Sequence, residues 1–288
     1  MKHLTFFLIF LLLICWFSGC VAQAPADIAA TTLPVYTFTV RLCEGTPLTV
    51  ARLVTENVSC LHDYTLQVSQ MRAIQGAKAV VISGAGLEEF LEDALHDANQ
   101  VIDASEGLSL LDGEHHDLHG HTHGEDPHTW LSPVNAMMMA GNIANRLAEI
   151  FPQYNTVIAG NLQALNADLA ALQAYGEDTL SSLSCRELVT FHDGFSYFAE
   201  SFSLTIVKAV EEESGSEASA AQLKELCLLI EEHQLPVIFT ETNGSTSAAN
   251  IIAAETGAKV FTLDMAMSGD DYFTIMYRNI DTIKEALQ

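Results

Sequence analysis

The segment from His115 to Pro133, "HHDLHGHTHGEDPHTWLSP", places six histidines within fourteen residues. A neutral imidazole is a good ligand for borderline divalent cations, so this density of rings points to metal chemistry. The six are not alike. His115, His116, His119, His121 and His123 sit among Gly, Asp and Glu with no helical or strand period, which predicts a loose loop over Leu111 to Gly124. His128 stands in a stiff setting, "DPHTW", bounded by proline and tryptophan. The five form a mobile collector, and the sixth belongs to a fixed site.

Three further side chains share His128's situation. His62 follows the strand and loop "LVTENVSCLHDY", His192 closes the strand "RELVTF", and Asp264 closes "AKVFTLD". In open parallel sheets, ligands bind just beyond the carboxyl ends of the strands. Two such sheets facing one another would gather His62, His128, His192 and Asp264 in one cleft. Three imidazoles and a carboxylate are a natural shell for a divalent ion such as zinc.

The elements that must position these residues alternate. "DIAATTLPV" (Asp27 to Val35) and "PLTVARLV" (Pro47 to Val54) read as β-leaning runs, and "AKAVVISG" as a strand buried on both faces, followed at once by the helix "GLEEFLEDAL". Ser132 and Pro133 predict an N-cap and first-turn proline for a helix that packs Met137 to Met139. Apolar residues Ile158, Leu162, Leu165, Leu169 and Leu172 recur at helical spacing, and no proline interrupts Tyr154 to Leu183. Beyond this long helix the alternation resumes, with strands "RELVTF", "LPVIFTE" and "AKVFTLD" and helices "DGFSYFAESF", "SAAQLKELCLLIEEHQ", "STSAANIIAAETG" and "DYFTIMYRNIDTIKEAL". The expected fold is α/β: two Rossmann-like parallel-sheet lobes, 20–153 and 184–288, joined by one rigid helix over 154–183. The apolar stripe spans too few heptads for a coiled coil, so a monomer is expected.

Composition narrows the partners. The 288 residues hold 12 Lys+Arg against 37 Asp+Glu, a net charge of −25. Such a surface repels nucleic-acid phosphates and favours cations. The first nineteen residues, Met1 to Gly19, have a basic start and an apolar run, which predicts a secretory signal, and "FSGC" resembles a lipobox that would leave Cys20 lipidated at the outer face of a membrane. Cys43, Cys60, Cys185 and Cys227 then remain, and their three possible pairings stay open beside the alternative of buried free thiols.

Several segments together carry a resemblance to a known family. "ATTLPVYTFTVRL", "DPHTWLSP", "TFHDGFSYFAESF", "ETGAKVFTLD" and "DYFTIMYRNIDTIKEAL" occur in the order found in the substrate-binding lipoproteins of bacterial ABC transporters for zinc and manganese. The chain is similar to them over nearly its whole mature length. The resemblance implies two lobes joined by a rigid helix, a metal between them held by His62, His128 and His192, Asp264 completing the site, and an ABC permease as partner. It allows Zn2+ or Mn2+ as cargo, and a surface adhesin on the same scaffold. Three imidazoles favour zinc, since manganese prefers more oxygen ligands. The histidine-rich loop belongs to the zinc branch, where it would raise the local zinc concentration for the fixed site. The chain departs from the family at Leu61, which removes a glutamate ligand before the first histidine, and at Ser132, where aspartate is usual.

A zinc hydrolase would need an open coordination position and a general base beside the metal-bound water. The sequence has no H-E-x-x-H helix, and Glu241, at the end of "VIFTE", reads as a strand-end polar residue. The sequence therefore predicts a carrier rather than an enzyme.

Overall fold

The computed structural model describes residues 25–56, 58, 61, 64–96, 98–113, 124–211, 219–242, 246–269 and 271–288. His62 and the five loop histidines lie outside the described residues, as do Met1 to Gly19, Cys20 and Cys60.

The chain builds two four-stranded parallel sheets. The first comprises β1 (Ile28–Ala30), β2 (Val50–Arg52), β3 (Ala79–Ile82) and β4 (Val101–Asp103), in the order β2-β1-β3-β4. The second comprises β5 (Glu187–His192), β6 (Thr205–Glu211), β7 (Val237–Glu241) and β8 (Lys259–Leu263), in the order β6-β5-β7-β8. The two orders are the same pattern, so β5 occupies in the second sheet the place of β1 in the first. In each, the strand order reverses between the two central strands, the position where doubly wound sheets take ligands. His192 is the last residue of β5 and so stands at that point in the second sheet.

Helices cover both sheets: α1 (Leu33–Cys43), α2 (Val68–Gly76), α3 (Glu92–His96) and α4 (Pro133–Ile150) in the first lobe, α6 (Ser196–Ser201), α7 (Ala220–His233), α8 (Ser247–Thr256) and α9 (Tyr272–Leu287) in the second. Their ends carry the expected chemistry. Ser132 accepts from Asn135 N–H at the start of α4 with Pro133 in the first turn, Ser219 and Gln222 form a capping box on α7, and Gly257 takes φ 77° at the end of α8. Met139 is fully buried in the core, Met137 packs against it, and Met138 faces solvent.

Between the lobes runs α5 (Asn155–Leu180), 26 residues and about 39 Å long at 1.5 Å per residue. Ile158, Leu165, Leu169 and Leu172 are buried along it. It ends before Leu183 because Arg186 reaches back: its guanidinium donates to the carbonyls of Leu180 (2.8 Å) and Ser181 (3.1 Å), which satisfies the orphan acceptors of the last turn. α5 packs on α1 and α4 of the first lobe and on α9 of the second.

Two expectations need correction. Asp27 to Val35 is not one β run: the strand stops at Ala30, and Pro34 lies in the first turn of α1 rather than ending a strand. Pro tolerates that position because its missing N–H would have no partner there. Thr31, Thr32 and Val35 are β-branched and disguised the helix start. Strands β4 and β6 were also unassigned from sequence; β4 is only three residues long.

One segment of the second lobe clasps the first. After β8, Met265 O accepts from Trp130 Nε1–H (2.8 Å), Met267 O accepts from Leu33 N–H (3.2 Å), and Gly269 O accepts from Arg52 Nη1 (2.8 Å). Tyr272 then donates to Trp130 O at 2.7 Å and meets Phe38 edge-on at 5.1 Å between ring centres. Trp130, Met265 and Tyr272 belong to one continuous buried core that crosses from lobe to lobe. No helix among the described residues is long and apolar enough to cross a membrane.

Candidate metal centre

His128 leads into a short 3-10 turn over Thr129–Leu131 whose three residues are buried, so Pro127 and Trp130 fix its backbone from both sides. Asp126 fixes its ring. One carboxylate oxygen, Oδ1, accepts from His128 N–H (2.9 Å) and lies 2.8 Å from His128 Nδ1. A carboxylate in that position draws the proton to Nδ1 and leaves Nε2 with its lone pair bare. Tyr197 holds Asp126 in turn, donating to its carbonyl at 2.8 Å while accepting from Leu111 N–H at 2.9 Å. Burial pushes the Tyr197 hydroxyl up to about 12, so it keeps the proton that this bond needs.

The bare nitrogen faces the other lobe. His192 Nε2 lies 3.4 Å from His128 Nε2, with the ring planes at 90°. Both residues are 2% exposed. Two imidazole nitrogens this close need a proton or a cation between them. Two nitrogens bound to one zinc at about 2.0–2.1 Å in tetrahedral geometry stand about 3.3–3.4 Å apart. The separation of 3.4 Å between the two rings equals that length.

Gly194 closes the wall beside the pair. A β-carbon there would meet Met265 Cε at 2.5 Å, His192 Cδ2 at 2.9 Å and His128 Cε1 at 3.0 Å. Both rings and the clasp segment therefore converge on a spot where only a hydrogen fits. Neither Asp126 nor Gly194 was singled out from sequence; "DPH" and "HDG" contain them, but their roles depend on which atoms meet across the cleft.

Asp264 stands where the sequence placed it, after β8, but its oxygens are engaged elsewhere. Oδ1 accepts from Ala266 N–H (2.9 Å), and Oδ2 from Arg278 Nη2 (3.0 Å) and Thr242 Oγ1 (3.1 Å). Among the described residues no three His, Cys, Asp or Glu side chains are placed to hold a metal ion. The structure thus brings His128 and His192 together and pairs the Asp264 carboxylate with Ala266, Thr242 and Arg278. His62 is outside the described residues; its neighbour Leu61 is fully buried in the main core, and Leu61 O accepts from Tyr64 N–H at 3.0 Å. The loop of five histidines is rooted beside the site by a bridge between Asp112 and Glu125 and by Asp126 N–H donating to Leu111 O at 2.8 Å. Glu241 ends β7 buried. Among the described cysteines, Cys43, Cys185 and Cys227 are free thiols.

Comparison with known proteins bears on the family and the fold. Residues 28–286 match the family model described as zinc-uptake complex component A, periplasmic (ZnuA). The chain is 28% identical over 283 residues to the zinc-binding lipoprotein AdcA of Streptococcus pneumoniae serotype 4, covering 92% of this chain and 56% of that one. It thus spans about half the length of that relative. It is 30% identical over 240 residues to a putative metal-binding protein of Treponema pallidum, covering 78% of this chain and 76% of that one. Among solved structures, a crystal structure of ZnuA superposes with TM-score 0.81 at 30% identity, covering 91% of this chain and 100% of the other. The laminin-binding protein Lmb of Streptococcus agalactiae, described as a bifunctional protein with adhesin and metal-transporting activity, gives TM-score 0.81 at 25% identity over 91% of this chain and 99% of its own. FpvC of Pseudomonas aeruginosa in complex with Mn2+ gives 0.82 at 26% identity, covering 92% and 99%. With the family model spanning both lobes and the paired histidines lying between them, the chain belongs to the ZnuA family of zinc-uptake components.

Proposed function

We propose that the protein binds Zn2+ outside the cytoplasm and delivers it to the permease of an ABC uptake system. His62, His128 and His192 are the proposed ligands, with Asp264 as the carboxylate in reserve beside them. The observation that carries the reading is the 3.4 Å separation of the His128 and His192 ring nitrogens, buried between the lobes and matched to a tetrahedral zinc edge. Each lobe supplies one of these two ligands, so a bound ion ties the lobes together; opening the seam would release it.

The remaining parts follow from that role. His115, His116, His119, His121 and His123 would collect zinc at the mouth of the site, since the loop is rooted next to Asp126. Met1 to Gly19 would direct export, and a lipid on Cys20 would hold the monomer near its permease. Manganese is the second cargo to test, supported by the Mn2+ complex of one structural relative. The proposed role is carriage, with no bond made or broken in the cargo.

The test is metal analysis of untagged protein, then competition of Zn2+ and Mn2+ against a chelator of known affinity. One tightly held zinc, lost in His192→Ala, supports the reading. Tight binding that survives His192→Ala, or manganese held more tightly than zinc, refutes it.

A further inference from the structure

Asp264 is held through both its side chain and its backbone. Its side chain accepts from Ala266 N–H, Thr242 Oγ1 and Arg278 Nη2. Its backbone is pinned from the same helix as Arg278: Asn279, 1% exposed, donates Nδ2 to Asp264 O at 2.7 Å and accepts from Asp264 N–H at 3.0 Å. The next residue, Met265, reaches the spot at Gly194 where both histidine rings converge. Asp264 therefore flanks the site, yet it joins no three-residue metal-holding group among the described residues.

We propose that Arg278 is a positioning residue for metal selectivity: by holding the Asp264 carboxylate outside the ion's shell, it leaves imidazoles alone to face the cargo. This deepens the three-histidine reading and rests on it. A carboxylate oxygen is a hard ligand that manganese favours, whereas zinc is well served by three imidazoles and an open or water-filled fourth position. Withholding the carboxylate thus weakens manganese more than zinc. Arg suits the task, because its permanent charge holds, through Nη2, a carboxylate oxygen that the cation's own field would otherwise attract. The Arg278 side chain is 58% exposed and that of Asp264 is 17% exposed. An ion pair this open to water adds little to stability, so Arg278 can be replaced without unfolding the lobe.

The test compares wild type, Arg278→Ala and Arg278→Gln for Zn2+ and Mn2+ affinity, with melting temperature as the check on folding. Freeing the carboxylate should raise manganese affinity and shrink the zinc preference by roughly 2- to 5-fold, the range open to an exposed ion pair. Asp264→Asn placed on Arg278→Ala should restore the preference. X-ray absorption on zinc-loaded wild type should show nitrogen ligands without a carboxylate oxygen from Asp264. An unchanged zinc-to-manganese ratio in both Arg278 variants overturns the proposal, as does an Asp264 oxygen on zinc in the wild type. Failure of wild type to bind zinc tightly would instead remove the three-histidine reading beneath it.

Discussion

Gly194→Ala isolates the proposed metal site from the rest of the fold. Gly194 does not have the positive φ that would make alanine a backbone problem, so the effect is steric. The new methyl would stand 2.5 Å from Met265 Cε, 2.9 Å from His192 Cδ2 and 3.0 Å from His128 Cε1. Carbon atoms pack at about 3.5–4.0 Å, so each ring must retreat by roughly 0.5–1 Å. In the free protein the two rings can move slightly apart, His128 keeping its bond to Asp126. In the zinc-bound protein they cannot, because the ion fixes the separation of the two Nε2 atoms. The overpacking energy, about 1–3 kcal/mol, therefore falls mostly on the loaded state. At 1.4 kcal/mol per decade, zinc affinity should drop roughly 5- to 150-fold. Competition against a fluorescent zinc chelator reads this directly, with thermal melts of the metal-free protein alongside. Adding Met265→Ala removes the shortest clash but neither histidine clash, so the double variant should regain packing without regaining zinc affinity. Wild-type zinc affinity in Gly194→Ala would refute the placement of the ion between these two rings.

Three other outcomes follow from the same geometry. Asp126→Asn replaces the charged acceptor of His128 Nδ1 and puts an amide NH2 where Asp126 Oδ2 is buried with no partner among the described residues; zinc affinity measured by competition should fall about 10- to 100-fold. Deleting residues 114–123 spares the Asp112–Glu125 bridge that roots the loop; calorimetry should show the tight site intact and the weaker zinc gone, and an unchanged stoichiometry would contradict the collector role. Asp27 joins the starts of three strands through Thr49 and Lys78, and the hydrogen bond from the Lys78 ammonium is the largest influence holding its carboxyl below the ordinary aspartate range. With the folded value depressed, its stabilisation is present above the unfolded aspartate value of about 3.9 and is lost as pH falls through the lower folded value. Urea unfolding of Asp27→Asn should therefore show a shallower loss of stability below about pH 4 than wild type; parallel acid curves would count against the assignment.

Much of the architecture was legible because its signals are local. Continuous apolar runs marked β3, β5, β7 and β8, the stripe from Ile158 to Leu172 marked α5, and Ser132 and Gly257 marked helix ends where caps are found. Where local signals conflict, reading failed. Thr31, Thr32 and Val35 favour strand by their branching, yet Pro34 opens α1, since the tertiary packing of Leu33, Phe38 and Leu42 outweighs propensity. The edge strand β6 gave no such run, and its place was set by pairing with β5.

For the site, the sequence alone determined which side chains could serve: the imidazoles of His128 and His192, each standing at the end of a recognisable element, and the carboxylate of Asp264 beside them. Tertiary structure decided what those side chains do. It set two rings that are 64 positions apart in the chain at 3.4 Å, aimed His128 through Asp126, left room for both at Gly194, and gave Asp264 to Arg278 instead of to them. Ligand identity is a property of one residue and can be read along the chain. The spacing of the two rings is a distance between lobes, fixed by the long helix and by the clasp of Met265, Met267 and Gly269 on Trp130, Leu33 and Arg52, and no local pattern encodes it.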